Sequence, residues 1–331
     1  MPRRPLRWNL SVFAIALGLL AFGGADADAS IAEPAEGPAV TLLEAGDGEP
    51  RVLRWAPQIG VSVRARMKMA MDISLAFDGN AMPKVDLPAY AFTVRATAGE
   101  PDDAGRFPVE TVYESVELEG DVEPMVRDAL SRVLEPLTGM KVTFLVDARG
   151  FVSDANTGEL PPQILDLLGG PVGVRRMVES FSQPLPDDAV APGARWQIEQ
   201  IVRVPNAPVL TQSVIYELVG HDGEQVEIKI IGRQAGEEQD FDSGVPGAQT
   251  TLKKAGGTIE GEATMRLDRL LPVRATNVGS VDFTYEILER GVRQIMEQSV
   301  SVRLEIEHLD DEDPESTNPV DAPEDRGDDG G

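Results

Sequence analysis

The stretch VSVRARMKMAMDISLAF, Val61 to Phe77, decides the fold. Val61, Val63, Ala65, Met67, Met69, Met71, Ile73, Leu75 and Phe77 occupy alternate positions. Ser62, Arg64, Arg66, Lys68, Asp72 and Ser74 fill the positions between, and Asp78 continues that row. A period of two is that of a β-strand, and an apolar row backed by a charged row marks a strand with one face buried.

The same alternation recurs on both sides of this stretch. It is seen in AYAFTVRAT and FPVETVYESVELE, then in RWQIEQIVRV, QSVIYELVG, EQVEIKIIG, IEGEATMRLDRLL, VRATNVGSVDFTYEIL and RQIMEQSVSVRLEIEHL. KVTFLVD and GFVSD flank Ala148-Arg149 as a hairpin, and GHDG, Gly220 to Gly223, is placed as a turn. Two regions switch to helical spacing. In the first, Val122, Met125, Val126, Ala129, Leu130, Val133, Leu134 and Leu137 share a face, and Gly139 can end the helix. The second, PPQILDLLGGPVGVRRMVESFSQ, reads as two short helices broken at Gly169-Gly170-Pro171. The polar stretch from Arg233 to Gly257 reads as a long mobile loop.

These elements predict a mainly β protein with a few helices (α+β). A sheet of about ten strands curls rather than staying flat. The expected architecture is a long, curved antiparallel sheet or half-barrel with helices covering one face. A faint internal repeat divides the domain, 51–309, into halves 51–183 and 184–309. Each half opens on a tryptophan near a Pro and a Gly, in RWAPQIG and in APGARWQ, and each carries a later hairpin with an Asp in its turn.

The ends differ from the middle. Arg3, Arg4 and Arg7 precede the apolar run WNLSVFAIALGLLAFGG and the small-residue stretch ADADAS, so residues 1–29 read as a signal peptide, with cleavage after Ala27 or Ala29. The mature chain is then expected outside the cytoplasm, in the periplasm or beyond, with no transmembrane helix. Residues 30–50 read as a flexible leader, and the acidic 310–331 as a disordered tail. With no cysteine among 331 residues, disulfides, thiol catalysis and cysteine metal sites are excluded. A formal charge of −26 argues against nucleic acid as a partner.

PLPDDAVAPGARWQ, Pro184 to Gln197, followed by paired strands and GEATMRLDRLLPVRATN, resembles an uncharacterised family of exported bacterial β-rich proteins, a domain of unknown function. The resemblance covers Leu53 to Leu309 and implies no catalytic residue. At the level of fold the chain is similar to the half-barrel of periplasmic lipoprotein carriers.

No residue pattern states an activity. There is no P-loop, no G-x-S-x-G and no H-E-x-x-H. His221 and His308 are read as surface residues, and Glu237, Glu238, Asp240 and Asp242 as a solvated cluster without EF-hand spacing. Met67, Met69 and Met71 invite a copper reading, because Cu(I) favours thioether sulfur. Their row continues as Val, Ala, Ile and Leu, and methionine is a common filler of irregular cores, so no metal or cofactor is expected. What they face matters more. If the curled sheet is filled, they are core. If it is hollow, Met67, Met69, Met71, Ile73 and Leu75 form the wall of an apolar pocket. The expected function is non-enzymatic binding of a lipid, another apolar ligand or a lipidated protein. The alternative is a cell-envelope scaffold that binds envelope proteins without a small ligand.

Overall fold

The computed structural model describes residues 39–84, 87–120, 122–156, 158, 184–203, 207–245 and 247–309. The stretches read from the sequence as a signal peptide, a second helical region and an acidic tail lie outside the described residues. Among the described residues strand makes up 63% and helix about 5%, a mainly β composition. No helix among the described residues is long and apolar enough to cross a membrane.

The strands are β1 (Val40–Glu44), β2 (Ser62–Phe77), β3 (Asn80–Ala81), β4 (Ala89–Ala98), β5 (Phe107–Glu119), β6 (Lys141–Val146), β7 (Val152–Asn156), β8 (Arg195–Val202), β9 (Leu210–Asp222), β10 (Gln225–Gly236), β11 (Gln239–Phe241), β12 (Ala248–Arg266), β13 (Arg274–Glu289) and β14 (Val292–Leu309). They form one antiparallel sheet in the order β1-β8-β9-β10-β12-β13-β14-β2-β4-β5-β6-β7, with β3 on β2 and β11 on β12. The sheet is not closed. Strands β2 to β7 lie together and β8 to β14 lie together, joined where β14 pairs with β2 from Met296↔Phe77 to Leu309↔Arg64.

The sheet curls. Trp196 on β8 and Val94 on β4 belong to one buried cluster although β9, β10, β12, β13, β14 and β2 stand between them. A second cluster fills the other end of the concave face around Met71, Phe283, Tyr285 and Val302. The alternation predicted for β2 is present, with Val63, Ala65, Met67, Met69 and Met71 all buried. Val61 precedes the strand and is exposed, because the chain there is still crossing the end of the sheet.

That crossing is a strap, residues 51–61. Its backbone is held by Arg51 N–H to Val190 O at 2.9 Å, Trp55 N–H to Ala148 O at 2.8 Å, Ala56 N–H to Leu267 O at 2.8 Å and Gly60 N–H to Ala98 O at 2.8 Å. One segment thus ties the approach to β8, the β6–β7 turn, the β12–β13 turn and the end of β4. These backbone bonds satisfy main-chain groups that would otherwise be buried without partners.

Four expectations change. The leader 30–50 is not wholly flexible: Val40–Glu44 is strand β1, paired with β8 from Val40↔Ile198 to Glu44↔Arg195. The polar stretch Arg233–Gly257 is mostly sheet: β10 runs to Gly236 and β12 starts at Ala248. The turn expected at GHDG falls later, at Gly223-Glu224, because His221 and Asp222 still pair in β9. Helix α1 (Pro124–Leu134) forms where predicted, with a proline in its first turn, and a 3-10 turn, Glu135–Leu137, follows. It does not lay its whole apolar face on the sheet. Met125 is 78% exposed, whereas Leu134 and Leu137 are buried, so only its end docks. Arg127 anchors it by donating to Leu118 O and Gly120 O, each at 3.0 Å.

Candidate functional site

Beneath the strap lies a cavity of about 90 Å³. Each surrounding strand contributes the residues that its alternation turns inward: Met67 from β2, Val94 and Ala96 from β4, Val109, Thr111 and Tyr113 from β5, Val142 and Phe144 from β6, and Val152 from β7. Leu270, Leu271 and Pro272 of the β12–β13 turn close it from across the curled sheet, and Trp55 and Pro57 of the strap border it. No side chain on this wall is charged. The volume is below the roughly 150 Å³ of an apolar cavity that stays dry and binds benzene. It has room for a compact ring fragment or a chain end, not for a whole acyl chain.

Tyr113 owes its place to a bulge. The β4–β5 register slips between Thr93↔Ser115 and Val94↔Tyr113, which leaves Glu114 as an extra residue. Tyr113 then points inward, edge-on to Phe92 with ring centroids 6.2 Å apart. Burial pushes its hydroxyl up to about 12, so it stays a neutral donor and acceptor at any ordinary pH.

Trp55 is 7% exposed, and its buried Nε1–H meets no acceptor. Trp196, its counterpart in the second half, is fully buried, stacks on Tyr216 at 5.8 Å and donates to Pro184 O at 2.9 Å. The Pro-x-Pro stretch before β8 therefore serves its own tryptophan, while the strap leaves its tryptophan unsatisfied.

The methionine row is divided by this arrangement. Met67 lines the cavity and packs in the first cluster. Met69 and Met71 sit in the second cluster with Tyr90, Leu134, Leu137 and Phe283, and half-buried Ile73 packs against it. Leu75 is half-buried near the end of β2. Across β2 the sulfurs face Ile306, Leu304 and Val302 on β14, not further methionines. Of the five expected wall residues, Met67 borders the cavity beneath the strap.

The opposite face of the same strands is charged and internally neutralised. Glu114 accepts from Arg64 Nε and Arg95 Nε, both at 2.9 Å, and Glu119 pairs with Arg66 at 2.8 Å and Lys68 at 2.6 Å. Desolvation raises the Glu114 pKa, but the hydrogen bonds from Arg95 and Arg64 outweigh it and hold it below the ordinary carboxylate value. Lys68 first and Arg66 second lower that of Glu119. His221 is exposed on β9, while His308 packs its Nε2 3.0 Å from Arg269 Nη1. Glu238 pairs with Lys253, and Asp240 accepts from Thr251, which fixes the acidic stretch to β12. Among the described residues no group of three His, Cys, Asp or Glu is placed to hold a metal.

Sequence reasoning missed Trp55, Tyr113 and the β12–β13 turn as neighbours. The apolar LLP at Leu270 to Pro272 was the available signal: three such residues in a turn need something to cover. A comparison with protein-family models and with curated proteins gave no match for this chain.

Proposed function

We propose that this chain is an exported binding protein that takes a small apolar group, such as the end of a lipid or of a lipid-modified partner, into the cavity beneath the strap. The observation that carries this reading is an uncharged cavity of about 90 Å³ on the inward face of the sheet. Native interiors leave few voids larger than a water molecule, so a space of this size is a candidate for occupancy. Its wall has no His, Asp, Glu or Lys to move a proton, which supports binding over catalysis. Export rests on the sequence of residues 1–29.

The test has two parts. Protein purified from its own host is examined by native mass spectrometry and solvent extraction for a co-purifying apolar molecule. The emptied protein is then titrated with n-hexane, followed by methyl NMR signals of Val94, Val109 and Leu271. Saturable shifts confined to the cavity are the expected result. No co-purifying molecule and no saturable shift would overturn the proposal.

A further inference from the structure

Trp55 adds a chemical requirement to the cavity. Its indole lines the space and is 93% withdrawn from solvent, the complement of its 7% exposure. Its Nε1–H finds no hydrogen-bond acceptor in the protein. A buried donor without an acceptor is destabilising, and native proteins retain very few. Tyrosine and tryptophan in interiors normally find a partner for their polar end, as Trp196 does with Pro184 O at 2.9 Å. The missing acceptor is therefore expected from whatever occupies the cavity.

The wall also limits what that acceptor can be. Besides Trp55, the polar side chains lining the cavity are Thr111 and Tyr113, and none is charged. A carboxylate or phosphate buried here would have no counter-charge and would be expelled.

We propose that the cavity selects apolar molecules bearing a neutral carbonyl, as in an acyl ester, amide or ketone, and that Trp55 Nε1–H donates to that oxygen. The Tyr113 hydroxyl is the second donor within the same wall. This rests on the cavity-binding reading above and names the ligand class for it. The alkyl part fills the space between β4, β5 and the β12–β13 turn, and the carbonyl faces the strap.

The experiment compares n-hexane with methyl butyl ketone, which are close in size and differ in the acceptor. On wild-type protein the ketone is expected to bind about five- to tenfold more tightly, the range for one net hydrogen bond. The Trp55 indole proton should move downfield with the ketone and not with hexane. Trp55→Phe keeps a ring in the wall and removes the donor. On this variant the ketone should lose most of its advantage over hexane. Equal affinities on wild type, or an indole proton unmoved by the ketone, would overturn the proposal while leaving hexane binding intact. Failure of both compounds to bind would instead overturn the cavity reading itself. The wild-type indole signal decides the matter even if Trp55→Phe does not fold. Methyl hexanoate and an N-hexanoyl tripeptide, whose alkyl parts match the ketone in length, then separate the sources. The one that moves the Trp55 signal at lower concentration identifies free lipid or acylated polypeptide, and a shift with neither would overturn the acyl assignment.

Discussion

Trp55 and Trp196 stand in similar short motifs, RWAPQIG and APGARWQ, yet they end in opposite situations. Trp196 begins β8, where the curled sheet covers it completely, Tyr216 stacks on it and Pro184 accepts its N–H. Trp55 lies on the strap, outside any strand, and borders a cavity with its N–H unpaired. The difference shows how similar local motifs come to lie in unlike surroundings. A tryptophan inside the ladder has its neighbours set by register. A tryptophan on a crossing segment packs against whatever the edges of the sheet leave.

Four tests bear on this contrast. The largest effect is expected for Trp196→Ala, about 3–5 kcal/mol of destabilisation in urea titration, because a fully packed ring is removed. Trp55→Ala should cost less, about 2–3 kcal/mol, since part of that ring already faces a void. Equal losses would break the contrast. Next come the methionines of β2. Met71→Ala should cost about 3 kcal/mol and Met67→Ala about 2 kcal/mol, because Met67 borders the cavity while Met71 is buried in the second cluster. Thermal melts that reverse this order would show that the strap end is as well filled as the other.

The third test replaces each indole by a phenyl ring, which removes the donor together with part of the ring. Trp196→Phe loses a buried hydrogen bond and should cost about 1–2 kcal/mol. Trp55→Phe deletes a donor that has no partner, so without ligand its stability should stay within about 0.5 kcal/mol of wild type. The smallest effect concerns the outer face over the cavity. Glu114 and Glu119 are held below their unfolded values, so their contribution is complete above the unfolded pKa of about 4.3 and is lost as pH falls through the lower folded values. Both lie near the surface, so the effect should stay under about 1 kcal/mol. Glu119→Gln should flatten that part of the acid-stability curve, and an unchanged curve would count against the pairing with Lys68 and Arg66.

Much of the fold was legible because alternation is a local signal. The inward row of β2, the β6–β7 hairpin and helix α1 all follow from residue spacing. The errors have identifiable causes. Gly256 and Gly257 suggested a loop, since glycine is depleted in strands. They lie inside β12, and a Cβ at Gly257 would come within 2.1 Å of Ser280 O, so the glycine there permits a close approach between paired strands. Val40–Glu44 was read as leader because an edge strand of five residues between polar segments has little pattern to show. The helix was expected to bury its whole face, but spacing cannot say how much sheet lies beneath it.

The candidate site was less legible than the fold. The row Met67, Met69, Met71, Ile73 and Leu75 was visible as apolar, yet only Met67 reaches the cavity. The remaining wall comes from β4 to β7, from a turn after β12 and from a strap before β2. No sequence period relates these segments.

The sequence by itself determined that the chain is a long antiparallel sheet with one buried face, because side-chain period and backbone pleat are the same property. It also determined the uncharged character of that face. Only the tertiary structure decided where along that face a cavity lies. How far a sheet curls depends on the summed twist of all its strands, and the gap left at one end depends on how a strap and a distant turn meet there. Neither quantity belongs to any one stretch of sequence.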